Sequence, residues 1–239
     1  MPGIYRDEGV VLRAIKLGEA DRIVTIFTRG NGKIRAVAKG VRKTKSRFGG
    51  RLEPFTRVNL MLYRGRDLDT ITSAEILTSF EALRTGYAGI ARASAVVDAV
   101  DKVTPDRERL VSVYELLIAG LDALAARPGP TIVPAFLVKL LSISGYHPQL
   151  NTCAGCGSPS TAAFSPILGG VSCEMCAMGD HSSVAIPIER IALLSRLLSH
   201  DFGEPADDET AASLTRLLTR YAEHHLERPF KGLRSLAAS

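Results

Sequence analysis

No stretch of this 239-residue chain is both long and uncharged enough to cross a membrane as a helix. The opening residues, Met1 to Glu8, carry acidic side chains where a signal peptide would have its apolar run, so a cytosolic protein is expected. Catalytic signatures are missing too. There is no H-E-x-x-H, G-x-S-x-G or G-x-G-x-x-G element. The histidines, His147, His181, His200, His224 and His225, have no Ser, Cys or carboxylate at a telling spacing. Gly40 to Ser46 has the outline of a phosphate loop, but Thr44 stands where a glycine must precede the lysine. Nucleotide hydrolysis is excluded on that ground, and no catalytic constellation is expected. Two further absences are local. No Asp or Glu lies between Arg22 and Leu52, and no Lys or Arg lies from Leu140 through Glu189.

Cysteine is scarce and its placement is informative. The four are paired as Cys153-Ala-Gly-Cys156 and Cys173-Glu-Met-Cys176, with sixteen residues between. Two such knuckles can close a tetrahedron of thiolates around one Zn²⁺. A redox pair or two disulfides are the competing readings. Gly155 and Gly157 suit the tight turn of the first knuckle, and Gly169-Gly170 suit a hairpin before the second. Four sulfurs leave no open coordination position, so the zinc is expected to be structural. The segment also lacks cations and carries Glu174 and Asp180, so it is poorly suited to gripping phosphates. A staple for a core-poor segment, or a protein-contact surface, fits better.

The net charge of +5 hides an asymmetry. Residues 1–80 hold 16 Lys+Arg against 8 Asp+Glu, whereas residues 151–239 hold 7 against 10. The positive field belongs to the N-terminal third and points to a polyanion there. That third reads as five strands: Gly9–Lys16, Arg22–Thr28, Lys33–Ala38, Arg57–Tyr63 and Leu68–Ile76, with Arg29-Gly-Asn-Gly32 as a hairpin signal. Five short strands in about 80 residues suggest a small barrel of the oligonucleotide-binding (OB) type, or an SH3-like one. From Arg22 to Leu52 there are ten Lys/Arg and no counter-charge, and ordinary surfaces mix signs. The expected phosphate track is Arg35, Lys39, Arg42, Lys43, Lys45, Arg47 and Arg51. A solvated basic loop is the competing reading. Of the aromatics Phe27, Phe48, Phe55 and Tyr63, the strand residues belong more naturally to a core. Phe48, inside the basic loop, is the candidate for stacking on a base.

From about Ser79 the periodicity becomes helical. Leu110 to Leu124 line one helix that ends before Arg127-Pro-Gly-Pro130, and Phe136 to Ser144 line another stopped by Gly145. A helix opens near Pro187, and a last one starts at Asp207-Asp208-Glu209, which suits its dipole. The expected fold is α+β and multidomain: an OB-type barrel at 1–79, a helical bundle at 80–150 and 184–239, and a Cys₄ zinc module inserted at 151–183.

A series of segments resembles the RecO family, bacterial DNA repair and recombination mediators. They are Gly18–Thr28, Gly32–Gly40, Arg42–Ser46, Leu52–Phe55, Phe136–Pro148 and Cys153–Gly157, in the same order over almost the whole chain. The resemblance implies an OB-fold, a helical domain and a zinc module that some members lack. It also implies binding to single- and double-stranded DNA, strand annealing, and partnership with RecR. With RecR, such proteins help RecA displace single-stranded DNA-binding protein (SSB), whose tail docks on the helical part in some members. Near the C-terminus, Arg228, Lys231 and Arg234 lie beside Phe230 and Leu233, a composition suited to an acidic, hydrophobic-ended tail. An ordinary chain terminus reads equally well there. Two rival classes are an RNA-binding or RNA-processing factor and a zinc-stapled nucleic-acid-modifying enzyme.

Overall fold

Glycine-rich and polar turns cut the first eighty residues into β-branched runs, and each run forms a strand. The computed structural model describes residues 3–43, 46 and 48–237, without the side chains of Lys231, Ser235 and Ala237. The strands are β1 (Ile4–Leu17), β2 (Asp21–Thr28), β3 (Gly32–Ala38), β4 (Arg57–Tyr63) and β5 (Asp69–Thr78). They close into a barrel in the order β1-β2-β3-β5-β4, antiparallel except for the β3–β5 pair. This is the five-stranded OB arrangement. Strand β1 is longer than its apolar run, because it serves two neighbours. Residues 4–10 pair with β4 and residues 9–17 with β2, with a register shift between Val11 and Arg13 that turns the strand. Gly9 sits where both pairings overlap, and a side chain there would meet Ile26. Val24, Ile26, Ile34, Leu60, Leu62 and Ile71 fill the interior, joined by Phe48 and Leu52 from the connection between β3 and β4.

The helices are α1 (Tyr87–Val103), α2 (Val111–Ala126) and α3 (Ile132–Ile143). Next come β6 (Ala163–Ser165), β7 (Gly170–Ser172), α4 (Glu174–Met178) and β8 (Val184–Ala185), then α5 (Ile188–Ser199), α6 (Asp208–Leu226) and α7 (Lys231–Ala237). The chain clusters into two compact units. One takes the residues up to Ala93 with Val100–Ala125, and the other takes Ser94–Ala99 with the chain from Ala126 onward. This differs from a cut near residue 80, because α2 goes with the barrel.

Ion pairs explain that grouping. The Lys33 ammonium is almost fully buried and donates to the carbonyls of Asp101 (2.5 Å) and Thr104 (2.9 Å). Asp69, wholly buried, accepts from Tyr5 Oη (2.5 Å), Arg107 Nη2 (2.9 Å) and the Gly65 amide (3.0 Å). Burial alone would raise the Asp69 carboxyl, but these hydrogen bonds, Arg107's first, outweigh it and hold it below its ordinary value. Glu8 accepts from Tyr114 Oη on α2 (2.6 Å) and Arg57 Nε (2.7 Å), and is held low by the same balance. Arg107 adopts a left-handed backbone, φ 60°, fixed by its amide to the Lys33 carbonyl and its fork on Asp69.

In the second unit, α3 is buried on nearly every face, from Ile132 to Leu141, and packs against α5 and α6. Gly145, at φ 94°, ends it. Asp207 caps α6 by accepting from the Thr210 amide at 2.7 Å. The β6–β7 hairpin and α4 form a small module between α3 and α5 in sequence. Among the described residues, no helix is long and apolar enough to cross a membrane.

Candidate nucleic-acid interface and metal centre

The two knuckles bring all four cysteines together. Cys153, Cys156, Cys173 and Cys176 present sulfurs that all lie within 4.8 Å of one another, with Cys156 and Cys173 at 3.7 Å. Backbone bonds set the loops: the Gly157 amide donates to the Cys153 carbonyl, and the Ala177 amide to that of Cys173. Gly157 takes the left-handed conformation, φ 76°. Gly155 is needed for space instead, since a side chain there would press on Cys176 Sγ and Leu168. Cys153 is buried and Cys156 exposed. Donors around Cys153, the Cys173 amide first, draw its thiol down to about 6, while the neighbouring sulfurs push Cys176 up to about 12. Four sulfurs this close together suit a single tetrahedral ion. The cluster can therefore hold a metal ion.

The barrel surface carries the second candidate. Strand pairing aligns residues of β1, β2 and β3 in cross-strand rows. One row is Arg13–Thr25–Arg35, and the next is Ile15–Ile23–Val37. Both face outward, because their neighbours Val24 and Ala36 belong to the core. Lys39 follows at the exposed end of β3. The connection after it is anchored beside the β1–β2 turn: the Gly40 amide donates to Asp21, and Arg42 donates to the carbonyls of Gly18 (3.2 Å) and Glu19 (2.8 Å). Arg35, Lys39, Arg42, Lys43 and Arg51 are all exposed. Lys45 and Arg47 lie outside the described residues, as does the side chain of Lys231.

Two sequence expectations are corrected. Phe48 is 1% exposed and packs in the barrel core, so it cannot stack on a base. The polar composition of its loop hid this. Phe48 instead joins Val41 and Leu52 of the same connection in the core. Phe230 and Leu233 are likewise wholly buried, and so offer no docking surface. Glu223 on α6 accepts from the Phe230 amide and forks with Arg234 at 2.6 and 2.8 Å, so the segment at Arg228–Arg234 is a clasp within the second unit. Sequence reasoning missed Arg13, Ile15, Ile23 and Val37. The signal lay in the alternation of β1 and β2, which puts these residues opposite the core. It also missed a cleft of about 640 Å³ beside the first knuckle, lined by Tyr146, His147, Gln149, Tyr221 and His225. Burial, then the neighbouring His224, lower the pKa of His225.

Fold and site together define a two-unit protein: an OB-type barrel with a cationic face, and a helical unit built around a tetracysteine knuckle. Residues 1–80 match the family model described as Recombination protein O N terminal, and residues 84–234 match Recombination protein O C terminal. The chain belongs to the RecO family. It is 44% identical to the DNA repair protein RecO of Bifidobacterium longum subsp. infantis over 97% of this chain and 98% of that one. It is 43% identical to the DNA repair protein RecO of a Nocardioides species, over 98% of each. A third relative, the DNA repair protein RecO of Cutibacterium acnes, is 41% identical over 97% of each.

Proposed function

We propose that this protein is a non-enzymatic mediator of DNA repair and recombination in the bacterial cytoplasm. It binds single- and double-stranded DNA on the barrel and anneals complementary strands. With RecR, it helps RecA load on single strands coated by SSB. The observation that carries the reading is the run of exposed cations Arg35, Lys39, Arg42 and Lys43 on a stretch with no acidic residue from Arg22 to Leu52. Two complementary strands repel each other. A cationic face that holds both lowers that repulsion without ATP. The family assignment supports the partners RecR, SSB and RecA. The Arg228–Arg234 clasp is not the place where an SSB tail docks. The cleft at Tyr146 and His225 has no Lys or Arg in its lining and suits an acidic tail poorly.

The metal we assign to the knuckle is one Zn²⁺ held by Cys153, Cys156, Cys173 and Cys176. Tetrahedral bonds of about 2.3 Å put sulfurs about 3.8 Å apart, and the 3.7 Å between Cys156 and Cys173 fits that spacing. Bound there, zinc supplies fold stability and no open coordination site for chemistry.

The test is annealing of complementary oligonucleotides coated with cognate SSB, without ATP. Wild-type protein should accelerate it, and a variant with Arg35→Glu, Lys39→Glu and Lys43→Glu should not. If about five phosphates are neutralised, log K should fall with log salt at a slope of about −4 to −5 on duplex DNA. Preference for RNA over single-stranded DNA in competition would favour the RNA-factor reading instead.

A further inference from the structure

The cationic barrel has an uncharged row running across it. Ile15 on β1 pairs with Ile23 on β2, Ile23 with Val37 on β3, Val37 with Thr70 on β5, and Thr70 with Tyr63 on β4. The period-two alternation puts all five outside, because Val24, Ala36, Ile71 and Leu62 beside them are core. Ile15 is 49% and Tyr63 46% exposed, and the other three are half-buried. Of the six aromatics in residues 1–80, Tyr63 alone is exposed; Phe27, Phe48, Phe55 and Phe80 are buried and Tyr5 is half-buried. A solvated strand face ordinarily carries charged and polar residues; in the neighbouring row Arg35 is exposed, Thr25 is buried and Arg13 pairs with Asp101 at 3.3 Å. On the other side stand Lys39 and the anchored Arg42.

We infer that this row is a platform for the bases of a single strand, with the flanking cations holding its backbone. The inference rests on the reading of the barrel as a DNA-binding unit and adds what it selects. A duplex turns its phosphates outward and its base faces inward, so an aliphatic row gains nothing from it. A single strand offers both parts at once. Its base faces are apolar and cover Ile15, Ile23 and Val37, while its phosphates reach Arg35 on one side and Lys39 on the other. Aliphatic and tyrosine surfaces have no hydrogen-bonding pattern to match, so the platform is indifferent to sequence. Cations alone bind both forms; the row decides how much better the single strand is held.

The experiment compares a poly-thymidine strand and a mixed-sequence duplex, by fluorescence anisotropy at one salt concentration. The variants are Ile15→Thr with Val37→Thr, Ile15→Thr alone, and Arg35→Glu with Lys39→Glu. Threonine keeps the β-branch, and the half-exposed Ile15 keeps the single variant foldable. The double threonine variant should lose about five- to tenfold in single-strand affinity, on the apolar area removed, with duplex affinity and both salt slopes unchanged. Ile15→Thr alone should lose about threefold on the single strand. Arg35→Glu with Lys39→Glu should lose both ligands. If the threonine variants keep single-strand affinity, or lose both ligands equally, the platform is overturned while the charge reading stands. If the glutamate variant binds both normally, the DNA-binding reading of the barrel fails first. Loss of an acidic peptide's binding in the threonine variants, with single-strand affinity intact, would assign the row to a protein and overturn the inference.

Discussion

In the barrel, five strands bury Val24, Ile26, Ile34, Leu60, Leu62 and Ile71 around one centre, and Phe48 and Leu52 join that core. Between residues 151 and 185 of the second unit, the buried apolar side chains are Ala163, Phe164, Pro166 and Val171, with two of the cysteines. The barrel has enough apolar area to fold on burial and spends its surface on cations. The knuckle has too little area and concentrates negative charge on sulfur, where a divalent ion can bind it. Each region is thus unfit for the other's task. A Cys₄ centre in a segment with no Lys or Arg of its own is poorly suited to a phosphate, and a cation-rich face repels a metal.

The sharpest way to break this comparison is at the metal. Cys173→Ser leaves three sulfurs around a small core, and should destabilise the second unit by several kcal/mol, on the scale of structural zinc sites. Hydrogen exchange should rise at β6, β7 and α4 while the barrel strands stay protected. Metal analysis should find about one zinc in the wild type and none in the variant. Equal exchange in both proteins would mean the knuckle folds without metal.

Next in size are the two corrected phenylalanines. Phe48→Ala should cost about 3–5 kcal/mol as a core cavity, read in chemical denaturation of the barrel. Phe230→Ala should cost a similar amount, read in the second unit. A Phe48→Ala protein that melts normally but loses single-strand binding would return Phe48 to the surface.

The ion pairs beneath the barrel come third. Arg107→Ala leaves the buried Asp69 carboxylate with Tyr5 and Gly65. It should cost about 2 kcal/mol, below the range for fully buried pairs because Arg107 is partly exposed. Asp69 and Glu8 both sit below their ordinary values of 3.8 and 4.5. Their unfolded forms take up protons first as pH falls. Their contribution is therefore complete above those values and is lost progressively below about pH 4. In Arg107→Ala this acid loss should shrink, because less of the depression remains. Denaturant midpoints at neutral and acid pH measure both effects. The smallest effect is Lys43→Ala, which should lessen the salt slope of duplex binding by about 0.9, one phosphate contact, with no change in thermal midpoint.

Much of the fold was legible because local chemistry repeats. Alternation and turn residues marked all five strands, and β4 spans Arg57–Tyr63 as expected. Asp207 was legible as a helix start and does cap α6. The cysteine cluster was legible because its ligands lie close in sequence. The proposed interface was legible only as charge. Its rows depend on register, and residues such as Ile15, Ile23 and Val37 are far from one another's neighbours until the strands pair. Phe48 was misread for the same reason, as a loop's composition does not say which of its side chains enters the core. The pairing of α2 with the barrel rested on Glu8 meeting Tyr114, 106 residues away.

The sequence by itself determined the two-part charge, the strands, the helices and the paired cysteines, because each follows from neighbours along the chain or from composition. Only the tertiary structure decided which cations share a face, that an uncharged row crosses them, and that Phe48, Phe230 and Leu233 are interior. Those are relations between residues brought together by closure of the barrel and packing of the helices. A one-residue change of register would have turned every side chain of a strand to the opposite face.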